Sequence, residues 1–92
     1  MPDGQVSAAD WQRFLAEVIT PRFPEGLTSW AAAGQWQDHE GRLERESSHV
    51  LHIVHRDSPR TDAAIREVVE IYKSRFHQQA VLRVRTPACI AF

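Results

Sequence analysis

The segment from Val50 to Val54 most constrains how this chain can fold, because it carries the strongest strand signal in the sequence. It is short, apolar and rich in β-branched residues, and polar residues flank it on both sides. Side chains alternate along a strand, so Leu51 and Ile53 are predicted to face a core. The alternate residues, Val50, His52 and Val54, are predicted to face the opposite side. The sequence therefore predicts a sheet with one face covered by helices.

An amphipathic helix is predicted near the start of the chain. Ser7 is placed to cap it, and Pro21 is expected to end it near Thr20, because proline restricts the residue before it. Apolar residues at spacings of three and four form its buried stripe. These residues are Trp11, Phe14, Leu15, Val18 and Ile19.

A second amphipathic helix is predicted after the strand, with Thr61 or Asp62 as its cap. Its buried stripe is Ile65, Val68, Val69, Ile71, Tyr72 and Phe76. Before the strand, the segments 27–38 and 42–46 are predicted to form a hairpin, with Gly41 in a left-handed turn position. A bend or bulge is expected near residues 31–34, which are weak for a strand.

The C-terminal part of the chain predicts further strands. Residues 81–85 alternate, which places Leu82 and Val84 in the core, and residues 89–92 are expected to add a short last strand. The element order is then α-β-β-α-β. This is the ferredoxin-like β-α-β-β-α-β pattern without its first strand, with two helices on one face of an antiparallel sheet. At this length, residues 1–92 are predicted to form a single α+β domain.

Composition narrows the classes of partner. The formal net charge is −1, from 11 basic and 12 acidic residues, so no global field favours nucleic acid or an anionic membrane. The single cysteine, Cys89, excludes an internal disulfide and is expected to be buried and inert. No apolar run is long enough for a membrane span. Without a signal pattern the chain is expected in the cytoplasm, or in the periplasm or medium if the N-terminus is truncated.

Two short pieces of the sequence are specific: Thr-Pro-Arg-Phe-Pro at residues 20–24 and Gly-Gln-Trp at residues 34–36. Further residues accompany them along most of the chain: Pro2-Asp3-Gly4, Val6-Ser7, Trp11, Phe14-Leu15, Gly26, Gly41-Arg42, Val50–His55, Tyr72-Lys73, Arg75-Phe76, Val81–Val84 and Pro87-Ala88-Cys89. In these residues the chain resembles a bacterial family of unknown function, the domain of unknown function numbered 3574.

The family name supplies no activity, so the resemblance informs the fold more than the function. The resemblance also implies a short apolar strand before Pro2, often behind a secretion or lipoprotein signal, which this sequence lacks. A missing central strand would leave ladder edges open. The C-terminal tail, a second chain or a rearranged sheet could fill the gap. We expect a homo-oligomer, most simply a dimer, to cover it.

Three histidines at spacings of three, His49, His52 and His55, suggest a metal site at first sight. On a strand, however, His49 and His55 share one face, about 20 Å apart, and His52 lies on the other face. We therefore expect no metal and no cofactor.

The outer face of the predicted sheet is the best candidate for function. It would combine apolar side chains with His52, Arg83 and Arg85, and with a tryptophan such as Trp36. Such a face is typical of an oligomer interface or of a ligand floor. The first hypothesis is a binding or structural module without a catalytic centre. The alternative is a small enzyme with a pocket between subunits, in which His52 is the acid or base and an arginine holds a carboxylate.

Overall fold

The structure is a computed structural model, and it describes residues 6–91. Within this range the chain forms a helix, a β-hairpin and a second helix, followed by a C-terminal segment without regular secondary structure. Helix α1 comprises an α-helix Ala8–Phe14, a π-helical part Leu15–Ile19 and a final turn Thr20–Arg22. Strands β1 (Thr28–Gln37) and β2 (Leu43–His52) pair antiparallel, and helix α2 is Pro59–Phe76. The protein therefore belongs to the α+β class, as predicted.

Helix α1 begins where the sequence predicts and ends later. The Ser7 hydroxyl accepts a hydrogen bond from the backbone N–H of Asp10 at 3.1 Å, which confirms the cap. The helix ends at Arg22, two residues beyond the predicted end near Thr20, and Pro21 lies inside its last turn rather than ending it. In a regular α-helix the proline ring would crowd the carbonyl of Glu17, four residues earlier. The wider π-helical part directly before Pro21 changes this spacing, so the chain remains helical to Arg22.

The hairpin is regular over its whole length. Its register runs without interruption from the pair Thr28–His52 to the pair Gln37–Leu43, so the predicted bulge is wrong. Gly34 fits into β1 because the side chain of Glu46 on β2 packs over it. The Cγ of Glu46 lies 3.5 Å from the position that a Cβ at residue 34 would occupy. The two predicted strands on the return arm are one strand, β2. This strand stops at His52 because its partner Thr28 is the first residue of β1.

The turn of the hairpin is held by one carboxylate. Asp38 accepts hydrogen bonds from the backbone N–H groups of Glu40 at 2.9 Å and Arg42 at 2.8 Å. The bond from the Arg42 backbone is the main reason that the pKa of Asp38 lies below its usual value. Gly41 has φ of 82°, the left-handed conformation that the sequence predicts.

Helix α2 is capped by a residue that the sequence reading passes over. Ser58, and not Thr61 or Asp62, is the N-cap, and its hydroxyl accepts from the backbone N–H of Thr61 at 3.1 Å. The physical reason is Pro59, which occupies the first position of the helix. Proline has no N–H to satisfy there, and its fixed φ suits that position, so the cap lies one residue before it.

The core lies between the two helices and the inner face of the hairpin. Its buried apolar residues are Trp11, Phe14, Leu15, Val18, Ile19 and Val68, which confirms the predicted stripe of α1. Leu51 and Ile53 pack against this cluster, whereas His52 and Val54 are exposed. The predicted assignment of the two sheet faces is therefore confirmed, and both helices cover the same face.

The C-terminal segment, residues 80–91, contradicts the sequence prediction. Neither residues 81–85 nor residues 89–91 form a strand, and Leu82 and Val84 are 89% and 77% exposed rather than buried. Cys89 is exposed as well. A strand requires a neighbouring strand for its ladder of hydrogen bonds, and this segment has none within the described chain.

We expect the substitution Phe14→Ala to lower the free energy of unfolding by about 3–5 kcal/mol, because the ring is almost completely buried and would leave a cavity. Ile19→Val, which removes one buried methylene, should cost about 0.5–1.5 kcal/mol. Urea unfolding at a fixed protein concentration measures both effects. Gln12→Ala, on the exposed side of the same helix, is the control and should stay within about 0.5 kcal/mol. An equal effect of Phe14→Ala and Gln12→Ala would contradict this core.

Candidate functional site

The outer face of the hairpin carries two exposed tryptophans. Ser29 and its partner Leu51 lie on the inner face, so the alternate residues Trp30 and Trp36 lie on the outer face. They are 48% and 54% exposed. Trp30 pairs with Val50 near the open end of the hairpin. The outer face is therefore uncovered and partly apolar within the described chain.

The structure does not bring the predicted site residues together within this chain. Trp36 and His52 share the outer face, but Trp36 lies eight residues along β1 from Thr28, the partner of His52, a distance of about 27 Å. The guanidinium groups of Arg83 and Arg85 contact acidic residues at and before the start of α2, and neither residue lies on a strand of the sheet.

Arg83 ties the C-terminal segment to the first turn of α2. Its Nη1 donates to Oδ1 of Asp62 at 2.8 Å, and Nη2 of Arg66 lies 2.6 Å from the other carboxylate oxygen of Asp62. The hydrogen bond from Arg83 is the largest cause of the lowered pKa of Asp62, and the positive charge of Arg66 adds to it. Arg85 makes a looser pair with Asp57 at 3.6 Å. The segment thus runs back along α2 from its end to its beginning.

On the inner face, Trp11 and His49 form the most closely packed aromatic pair. Their rings stack at a centroid distance of 4.6 Å and an interplanar angle of 13°. The Trp11 Nε1–H donates to the Ser29 hydroxyl at 2.8 Å, and His49 Nε2 lies 3.3 Å from the carbonyl oxygen of Val6. His49 is therefore engaged in packing. Within residues 6–91, no three His, Cys, Asp or Glu side chains are grouped to hold a metal ion.

A cavity of about 220 Å³ lies where three segments meet: the connector from α1 to β1, the loop from β2 to α2, and the first turns of α2. We call it the connector cavity. Its lining residues are Arg22, Phe23, Pro24, Glu25, Gly26, Val54, His55, Arg56, Arg60, Thr61 and Ala64. The sequence analysis identifies the connector and the loop but does not place them side by side. The sequence carries no signal that links these two segments, because each holds one arginine and one acidic residue.

The fold and these surfaces define a class: a small α+β protein with an antiparallel hairpin, one face of which is covered by two helices. No helix of the described chain is both long and apolar enough to cross a membrane. The chain belongs to the family described as "Protein of unknown function (DUF3574)", whose family model matches residues 1–92. No curated protein and no solved structure matches the chain.

We expect Arg83→Gln to raise the pKa of Asp62 toward its usual value, because the substitution removes the charge and the main hydrogen bond that lower it. Since the folded pKa is below the unfolded one, the stabilisation by this pair is complete above about pH 4 and is lost as the pH falls through the folded pKa. An NMR titration of the Asp62 carboxyl carbon measures the pKa directly.

Arg85→Gln is the matched control for this titration, because Arg85 lies on the same segment but contacts Asp57 and not Asp62. It should leave the pKa of Asp62 unchanged. Chymotrypsin should also cleave the C-terminal segment faster in Arg83→Gln than in the control. An Asp62 pKa that is the same in both variants would show that Arg83 does not hold the segment in solution.

Proposed function

We propose that this protein is a binding or structural module that works as a homo-oligomer, most simply a dimer. The main support for the proposal is the solvent-accessible surface area of the chain. The chain exposes 7634 Å², whereas a compact monomer of 10.5 kDa is expected to expose about 5,400 Å². The surplus of roughly 2,200 Å² exceeds the ~800 Å² that each partner buries in a standard interface.

The shape of the chain supports the same proposal. The radius of gyration is 14.9 Å and the extents are 46 × 27 × 23 Å. A compact domain of this length has a radius of gyration of about 12 Å. The core is also small, with only six buried apolar side chains in the described residues. Domains of this size that lack disulfides commonly gain stability by association.

The apolar side chains that remain exposed indicate where the second copy docks. The most exposed are Leu82 and Val84 of the C-terminal segment, and Val54, which follows β2, is 51% exposed. The outer edge of β2 has no partner strand among residues 6–91. An open strand edge is a template for pairing with another chain, and exposed apolar side chains are typical of an interface. We therefore assign the interface to the edge of β2 and the C-terminal segment.

Electrostatics favours a second copy of the same chain as the occupant. The net charge of −1 gives two copies little mutual repulsion. The exposed start of β2 carries charges of both signs, Glu44, Arg45 and Glu46. A partner with a strong charge of one sign would not be electrostatically complementary to this edge.

The double substitution Leu82→Ser and Val84→Ser should weaken the dimer at least tenfold, because these side chains bury their apolar surface only against the partner. Light scattering over a dilution series measures the monomer–dimer equilibrium. Hydrogen exchange provides a second readout: the amides of β2 that point away from β1 should be protected in the wild-type dimer and lose that protection in the variant.

Gln79→Ser is the control, because it changes an exposed polar residue near the same segment without removing apolar surface. It should assemble like the wild type. Circular dichroism of the double variant checks that the subunit remains folded. A wild-type chain that scatters as a monomer at micromolar concentration would overturn the proposal.

A further inference from the structure

We propose that the connector cavity binds a small organic anion: an oxyanion head, carboxylate or phosphate, attached to a compact apolar group. The cavity lies within one subunit, so the proposal does not depend on assembly. Its positive charge comes mainly from one short stretch, with Arg56 in the loop before α2 and Arg60 in the first turn of α2. Arg22 of the connector, which is distant in sequence, also lines the cavity.

Arg56 and Arg60 differ from the arginines around them because neither forms an ion pair within the described chain. Three neighbouring carboxylates already have cationic partners, whereas Glu25 has none within residues 6–91. Asp62 is bound by Arg66 and Arg83, and Asp57 is paired with Arg85. Glu67 holds Arg22, whose Nε lies 2.8 Å from Oε1 of that carboxylate. The arginine charge at this end of the molecule thus exceeds the nearby acidic charge, and the excess lies at the cavity.

The position of Arg60 is electrostatically unfavourable unless an anion is present. The first turn of a helix carries partial positive charge from its unpaired N–H groups, and it favours acidic residues. Arg60 is the second residue of α2. A cation at this position is electrostatically unfavourable, and an oxyanion bound in the cavity that Arg56 and Arg60 both line would offset this.

The remaining lining favours an anion with an apolar part. Phe23, Pro24, Val54 and Ala64 provide apolar surface, and the Phe23 and His55 rings lie 6.2 Å apart. The His55 Nδ1–H donates to the carbonyl oxygen of Arg56 at 2.7 Å, which fixes the ring next to that arginine. About 220 Å³ corresponds to roughly seven waters, enough for a head group with a small ring or branched chain.

One lining residue has the opposite sign. Glu25 in the connector is exposed and forms no ion pair within residues 6–91. Its carboxylate opposes an incoming anion and partly neutralises the arginines. This gives the proposal a test with two signs: removal of an arginine should weaken binding, and removal of the Glu25 charge should strengthen it.

The probe is phenyl phosphate. Benzoate is titrated in parallel as the carboxylate, and benzyl alcohol as the uncharged compound. Titration followed by NMR should give saturable shifts of the Gly26, Thr61 and Ala64 amides, with a Kd for phenyl phosphate of about 1 mM or tighter. The anion that binds more tightly identifies the head group. Benzyl alcohol should not saturate, because it lacks the charge.

Arg56→Ala and Arg60→Ala should each weaken binding at least fivefold, and Glu25→Gln should tighten it. Arg13→Ala is the matched control, since Arg13 is an exposed arginine on α1 that pairs with Asp10, does not line the cavity and lies outside the proposed interface. It should bind like the wild type. Circular dichroism confirms that each variant is folded.

Equal binding by all three arginine variants would overturn the site, as would the absence of saturable shifts with either anion. The result is independent of the oligomeric state, which the same samples report by diffusion measurements.

Discussion

The rest of the structure depends on the contacts of Trp11, because they join every regular element of the described chain. It projects from α1, stacks on His49 of β2 and donates its indole N–H to Ser29 of β1. Its ring also meets Tyr72 of α2 edge-on, at a centroid distance of 6.1 Å. A buried indole needs a partner for its N–H, so Ser29 satisfies the group that the apolar core cannot. One side chain thereby determines which face of the hairpin the helices cover.

In the described residues, two helices lie on one face of a two-stranded hairpin, and no further strand pairs with either edge. A hairpin alone is marginally stable in water, so its stability here comes from the helices. The six apolar side chains that are buried among these residues form a small core for a chain that exposes 7634 Å². The small core and the assembly that we propose therefore both reflect a sheet of two strands in the described part of the chain.

The features that the sequence predicted correctly are local or periodic. The Ser7 cap depends on one hydroxyl and one amide three residues later, and the stripe of α1 depends only on helical spacing. The left-handed Gly41 and the two faces of the segment around Leu51 follow from the chemistry of single residues and from alternation. The cap of α2 was missed although its signal is also local. Pro59 marks the first helical position, and Ser58 follows from it.

The features that the sequence did not predict depend on groups far apart in the chain. The alternation of residues 81–85 describes a segment that suits a strand, but a strand is a property of a pair, and the pattern contains no information about the partner. The segment is held instead by the ion pair between Arg83 and Asp62. The connector cavity likewise could not be predicted from local sequence, because its walls come from residues that are separated by some thirty positions. The sequence contains ten arginines and one lysine, but only the fold shows that Arg56 and Arg60 lack carboxylate partners within the described chain.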